Sequence, residues 1–297
     1  MNPALPIQTL DLTKRFGETL ALDAVDWNVR AGTAVGLVGR NGSGKSTLLN
    51  TLVGMLRPTS GTCRTLGVDA MRLSEEELVR IGFVDQEAEL LDWLTIEQHV
   101  RYVASFQPRW DRALEAKLRD ELELTEKKRV GNLSKGMRQR LALLMAVCHR
   151  PELLVLDEPV SALDPLARQD ALQMILNRLI DDGSTVVISS HVLHDVEKIV
   201  DHVLCLEQGR VVEDASLDEL KESFAEWIVT DPETPLPREF SEPYVLTREG
   251  NENHARLRVR ATDEDLSQFQ ARHRVRVQSQ RLDLERIFPL LTGGKRG

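Results

Sequence analysis

A chain of 297 residues has room for one large domain or two modest ones and for a substantial core. Its composition, 41% apolar and 29% charged, is that of a globular protein, and a net charge of -9 argues against nucleic acid or an anionic membrane surface as the main partner. The three cysteines, Cys63, Cys148 and Cys205, have neither close pairing nor metal-ligand spacing and read as reduced thiols of the cytosol. The longest apolar run, Leu141 to Cys148, is far short of the roughly 20 residues of a membrane span. Met1 to Leu10 lacks the basic start and apolar stretch of a signal peptide, so any membrane role is expected to come through a partner.

In chain order, Ile7 to Leu12 and Val25 to Val29 read as strands on either side of a turn at Phe16-Gly17. The apolar run Thr33 to Val38 suits a strand buried on both faces of a parallel sheet. Ser46 to Leu56 reads as a helix, with Pro58 and Gly61 as breakers, and Ile81 to Val84 as another strand. From about Glu87 to Arg150 the pattern turns helical. Thr95 with Gln98 forms a capping-box signature, Trp110 to Leu122 a second helix, and Ser134 opens a third with Met137, Leu141, Leu144, Met145 and Cys148 on one stripe. Strands return at Leu153 to Leu156, Thr185 to Ser189 and His202 to Leu206, with Pro165 as a helix start and Gly183 as a helix stop between the first two. This alternation predicts a mostly parallel α/β sheet. After about Ser216 the texture changes. Pro232, Pro235, Pro237 and Pro243 mark a loop, Ala255 to Arg260 a half-buried strand, and Asp263 to His273 and Leu282 to Leu291 helices, together a small α+β appendage.

Two motifs carry chemistry. Gly39-Arg40-Asn41-Gly42-Ser43-Gly44-Lys45-Ser46-Thr47 matches the phosphate-loop pattern in full, with a buried strand before it and a helix after it. Glycines let successive N–H groups turn toward phosphate oxygens, and the helix start adds the positive end of its dipole. Lys45 supplies a point charge for the β- and γ-phosphates of ATP, and the Ser46 hydroxyl a ligand for Mg²⁺. Downstream, the apolar strand Leu153 to Leu156 ends in Asp157-Glu158. Asp157 is the candidate to hold Mg²⁺, and Glu158 the candidate general base that polarises the attacking water.

Between these motifs lies Leu133-Ser134-Lys135-Gly136-Met137, and here the chain resembles the ATP-binding cassette (ABC) ATPases, whose signature is Leu-Ser-Gly-Gly-Gln. Leu133, Ser134 and Gly136 keep the pattern, while Lys135 replaces the first glycine and Met137 the glutamine. Arg138-Gln139-Arg140-Leu141-Ala142 resembles the segment that follows. The resemblance covers roughly Leu5 to Ser216 and aligns further positions in order. Gln86 corresponds to the loop glutamine that senses the γ-phosphate and Mg²⁺, Ser161-Ala162-Leu163-Asp164 to the loop that crosses the dimer interface, and His191 to the switch histidine. Phe16 lies where the family stacks an aromatic ring on adenine. Read alone, His191 fits a helix cap better and Gln86 a surface residue, and Phe16 keeps a core ring as its alternative. The variant signature, the stretch from Trp93-Leu94-Thr95 to Trp110-Asp111, and the ending Leu282 to Phe288 resemble bacterial export-type cassettes.

The resemblance implies a P-loop NTPase cassette over residues 1–216: a mixed sheet with a RecA-like core, N-terminal antiparallel strands and a helical subdomain at about 87–150, followed by the appendage at 217–297. It implies a head-to-tail cassette dimer that sandwiches ATP and Mg²⁺. Gly39, Asn41, Gly42, Ser43, Gly44, Lys45, Ser46, Thr47, Asp157, Glu158, Gln86 and His191 would come from one chain, and Ser134, Gly136 and the Asp164 loop from the other. It implies a separate membrane permease as partner, no nucleic acid, and a cytoplasmic location on the inner face of the membrane through that permease. Two rivals stay open: a soluble cassette ATPase of translation or DNA maintenance, and a regulatory nucleotide-binding subunit without turnover. A single cassette is unlike the two-cassette translation factors, and the interval between Lys45 and Asp157 leaves no room for the long coiled coil of the DNA-repair relatives. Arg256, Arg258 and Arg260 on one strand face of the appendage read as a solvated face or as an anion contact.

Overall fold

The computed structural model describes residues 5–124, 127–159, 176, 182–231 and 235–293. The chain divides into two compact units, Met1–Asp214 and Ala215–Gly297.

The first unit is built on two sheets. Strands β1 (Ile7–Phe16) and β2 (Thr19–Val29) form an antiparallel hairpin, and β4 (Ser60–Thr65) and β5 (Val68–Asp69) extend it in the order β2-β1-β4-β5. The hairpin is longer at both arms than the sequence pattern predicts, because Lys14 to Phe16 pair with Thr19 to Leu22 through a series of bulges. The second sheet has the order β10-β9-β3-β8-β7-β6, comprising β3 (Ala34–Val38), β6 (Ile81–Val84), β7 (Leu153–Asp157), β8 (Thr185–Ser189), β9 (His202–Glu207) and β10 (Arg210–Ser216). From β9 to β6 every pairing is parallel. Strands β3, β7 and β8 are buried at every residue, which explains why each reads as an unbroken apolar run. Helix α1 (Lys45–Leu52) follows β3, and its Leu48, Leu49 and Leu52 share one core with Trp27 of β2, Leu37 of β3, Val155 of β7 and Leu204 of β9. The helix is shorter than the sequence pattern predicts. Val53 caps it and Gly54 turns the chain with a φ of 78°, where an added Cβ would lie 2.4 Å from the Ala70 carbonyl oxygen.

After the short helix α2 (Glu75–Leu78) and β6 come the three helices of the insertion: α3 (Ile96–Ala104), α4 (Arg112–Glu121) and α5 (Lys135–Val147). Thr95 and Gln98 form the expected capping box, and Asp111 and Ser134 cap the next two helices. The single stripe expected on α5 is incomplete. From Leu141 to His149 every residue is buried, while Met137 is only half-buried, so the second half of this helix is enclosed on all sides. Among the described residues no helix is long and apolar enough to cross a membrane. Pro165 and the segment Ser161 to Asp164 lie outside the described residues, whereas Gly183 sits in a turn with a φ of 88°.

In the second unit the antiparallel sheet has the order β12-β13-β11-β14, from β11 (Phe224–Thr230), β12 (Val245–Gly250), β13 (His254–Arg260) and β14 (Arg276–Arg281). Helix Asp263–His273 contributes Phe269 to a core with Trp227, Val229, Leu257 and Val259. The proline-rich loop is not merely a linker, since its Leu236 is buried in that core. The arginines of β13 differ in fate. Arg256 is exposed, Arg258 lies 3.9 Å from Glu226 and 3.6 Å from Glu249, and Arg260 stands over the Phe224 ring. The last helix is Leu284–Gly293, starting two residues later than the sequence pattern predicts because Asp283 accepts the Arg286 N–H at 2.9 Å.

Candidate functional site

The parallel strands deliver their carboxyl ends to one edge of the sheet, where open α/β folds bind ligands. At the end of β3 the chain enters the glycine-rich loop. Gly44 takes a φ of 106° and Gly42 a φ of 79°, conformations that only glycine adopts without strain. The tight path is also steric. A Cβ on Gly39 would lie 2.3 Å from Ser43 Oγ, and one on Gly44 2.4 Å from the Ala21 carbonyl oxygen of β2. The hairpin is thereby seated directly against the loop, and at its tip Phe16 is 49% exposed with Lys14 Nζ 4.9 Å from its ring centroid. An exposed aromatic face here suits stacking on a planar base better than a core role.

Lys45 opens α1, one residue earlier than expected, and is buried. Its ammonium donates to the carbonyl oxygens of Gly39 at 2.8 Å and Arg40 at 3.3 Å, filling the loop it encloses. Burial pushes the Lys45 pKa down, opposed by the carboxylates of Glu158 and Asp157. The Ser43 hydroxyl is buried with no hydrogen-bond partner among the described residues, a polar atom directed into the same loop. Asn41 and Ser46 are exposed and Thr47 is half-buried.

Two strands away, Asp157 ends β7 and is 3% exposed, and Glu158 follows at 7%. Ser189, the last residue of β8, holds both. Its hydroxyl donates to Asp157 Oδ1 at 2.6 Å and accepts the Glu158 N–H at 2.9 Å. Glu158 has a φ of 50°, and both carboxylates act on Lys45 although strand neighbours normally point apart. His191 Nδ1 lies 2.6 Å from Glu158 Oε2. The histidine is therefore a partner of the carboxylate and not simply a helix cap. Gln86 is exposed in the turn after β6, the strand beside β7.

The oxygens of Asp157, whose carboxylate acts on Lys45, and of Ser46, next in sequence to Lys45, are hard donors of the kind that suits Mg²⁺ beside a nucleotide polyphosphate. The fit is supported by the buried, unpartnered Ser43 hydroxyl and by the glycine positions that a Cβ would fill.

Ser134 and Gly136 lie in the first turn of α5. Ser134 is exposed and its Oγ accepts the Met137 N–H at 3.3 Å. Among the described residues neither makes a hydrogen bond or ion pair with the glycine-rich loop of the same chain. Lys135 is exposed, 3.9 Å from the carboxylate of Glu87, the neighbour of Gln86. Ser161, Ala162, Leu163 and Asp164 lie outside the described residues. Two residues of the site escaped the sequence reading. Ser189 carried a signal, as a polar residue ending an otherwise apolar strand. Gln139, whose Nε2 donates to the Glu158 carbonyl oxygen at 3.3 Å, carried none, since it stands between Arg138 and Arg140 in the sequence.

A family model described as ABC transporter matches residues 22–161. The chain is 36% identical over 220 residues to the bacitracin transport ATP-binding protein BcrA of Bacillus licheniformis, covering 72% of this chain and 71% of the relative. It is 34% identical over 227 residues to the daunorubicin/doxorubicin resistance ATP-binding protein DrrA of Streptomyces peucetius, covering 75% and 68%. A solved ATP-binding subunit of an ABC transporter superposes with a TM-score of 0.67 at 28% identity, covering 73% of this chain and 92% of that one. A dimeric ATP-binding cassette in a post-hydrolysis state, bound to ADP and Pi, superposes with a TM-score of 0.64 at 28% identity, covering 71% and 98%. The glycine-rich loop, the paired carboxylates and the histidine thus sit on a cassette fold, and the chain belongs to the ATP-hydrolysing, ATP-binding subunits of ABC transporters.

Proposed function

We propose that this chain is the motor subunit of an export-type transporter, in which two cassettes close head to tail over ATP and drive a separate membrane permease. The observation that carries this reading is the meeting of Lys45, Asp157, Glu158 and His191 at the carboxyl ends of β3, β7 and β8. The cassette is taken as residues 1–216, with 217–297 as an appendage.

Each residue then has a role that follows from its chemistry. N–H groups of Asn41 to Thr47 bind the β- and γ-phosphates, and Lys45 exchanges the Gly39 and Arg40 carbonyls for phosphate oxygens. Phe16 stacks on adenine. Ser46, Asp157 and Gln86 hold Mg²⁺, which supplies charge neutralisation of the phosphate oxygens. Glu158 orients the attacking water and accepts its proton, and His191 fixes the carboxylate. Ser134 and Gly136 of the opposite chain present a hydroxyl and N–H groups at the start of α5 to the γ-phosphate. That neither bonds to the same chain's loop among the described residues supports a site completed by a second cassette. ATP then acts as a ligand that binds the closed pair better than the open one, and hydrolysis reverses the shift. Export as the direction, and attachment to the inner face of the membrane through the permease, rest on the bacitracin and daunorubicin relatives.

The test is hydrolysis of ATP by the purified chain with Mg²⁺, against Lys45→Ala, together with detergent extraction of the tagged chain from membranes. Mg²⁺-dependent turnover lost in Lys45→Ala, and a membrane-spanning partner in the extract, are expected. Equal turnover in the two proteins, or recovery with ribosomes or DNA instead of a membrane protein, would contradict the reading.

A further inference from the structure

Glu158 is held in a conformation that a residue with a side chain rarely keeps unaided, with a φ of 50°. Its peptide is fixed from both sides. The N–H donates to Ser189 Oγ at 2.9 Å, and the carbonyl oxygen accepts from Nε2 of Gln139 at 3.3 Å. Gln139 is 1% exposed and sits on α5, five residues after Ser134. An amide at this depth costs desolvation unless it is satisfied, so its burial between the half-buried Arg138 and Arg140 needs a reason beyond packing. A methionine would fill similar space without that cost.

We propose that Gln139 is a positioning residue for hydrolysis: its side-chain amide anchors the backbone of Glu158 to helix α5 and so sets the aim of the carboxylate. The inference rests on the reading of Glu158 as general base. Its physical content is that a displaced carboxylate loses turnover while nucleotide binding, which depends on the glycine-rich loop, persists. Because α5 begins at Ser134, the aim of the base also depends on where that helix is held.

The experiment compares steady-state ATP hydrolysis by the full chain as wild type, Gln139→Met, Gln139→Asn and Glu158→Gln, with unfolding temperatures measured alongside. Gln139→Met removes the donor and keeps the volume. Gln139→Asn keeps a polar amide but is one methylene too short to reach the carbonyl, and serves where the methionine variant fails to fold. The expected result is a fall in kcat of about 10-fold or more in both, with KM for ATP within about twofold of wild type. Unchanged kcat in a folded Gln139 variant, or a rise in KM without a fall in kcat, overturns the proposal when Glu158→Gln is inactive. Full turnover in Glu158→Gln instead overturns the reading of the base itself.

Discussion

Nδ1 of His191 lies 2.6 Å from Oε2 of Glu158, and the same glutamate begins its peptide on the hydroxyl of Ser189. The histidine comes from the loop after β8 and the glutamate from the end of β7, so one strand pair sets both the backbone and the side chain of the proposed base. Replacing His191 by Ala removes the contact that orients the carboxylate and leaves the phosphate loop untouched. kcat is expected to fall about 100-fold, within the range for lost acid–base assistance, with little change in KM. Steady-state kinetics at saturating and subsaturating ATP measure both, and a change confined to KM would contradict this role.

Ser189→Ala acts on two groups at once. It leaves Asp157 Oδ1 without the hydroxyl donor, and the Glu158 N–H with only its 3.3 Å bond to the Ser189 carbonyl oxygen, in a place that is 0% exposed. Loss of about 1–3 kcal/mol of stability is expected from the buried groups left behind, together with a drop in kcat. Denaturant unfolding and ATP turnover on the same preparation test this. A variant as stable and as active as wild type would rule out the bridging role.

Gly44→Ala is expected to damage the loop itself. The φ of 106° strains any side chain, by about 1–3 kcal/mol, and the new Cβ would meet the Ala21 carbonyl oxygen at 2.4 Å. Nucleotide affinity should fall and the unfolding temperature should drop. Gly183→Ala shares a positive φ but meets nothing within 4 Å, and should leave nucleotide affinity unchanged. Titration of a fluorescent ATP analogue separates the two.

Acid should destabilise the first unit. His99 and His149 are buried, and desolvation lowers both pKa values from the usual 6.5. His149 has the Met145 and Ile81 carbonyl oxygens each 3.3 Å from a ring nitrogen. With the folded pKa depressed, the unfolded chain binds more protons below about pH 6.5, so stability contributed by the neutral rings is full above that value. It is lost progressively as pH falls toward the folded values. Unfolding free energy measured from pH 7.5 to 5.5 should decline, and less steeply in His149→Gln. An identical slope in the variant would remove His149 from the account.

Much of this was legible in the sequence because the same physics writes both. Strands β3, β7 and β8 are enclosed on both faces, so their residues had to be apolar without interruption, and their ends were marked by Gly39, Asp157 and Ser189. Capping oxygens at Thr95 and Ser134 announced α3 and α5. Strand β4, Ser60 to Thr65, was not legible, since its polar residues are mostly exposed and its form is imposed by pairing with β1. The bond from Gln139 to Glu158 joins residues that only the assembled fold brings together, and helical spacing within α5 carries no trace of it. In the second unit β14 escaped notice for the reason that holds for β4, whereas β11, apolar and mostly buried, did carry a strand pattern. Arg276 to Arg281 is nearly all exposed and is a strand because β11 pairs with it.

The most direct test of the central claim uses Glu158→Gln, which keeps the shape of the side chain and removes its basicity. ATP hydrolysis and sizing in ATP are measured on the same protein, beside wild type. The expected result is turnover in wild type, and in the variant little turnover with an ATP-trapped dimer, because the γ-phosphate proposed to bridge two cassettes is no longer removed. Equal hydrolysis by both proteins, or an inactive variant that stays monomeric in ATP, would contradict it.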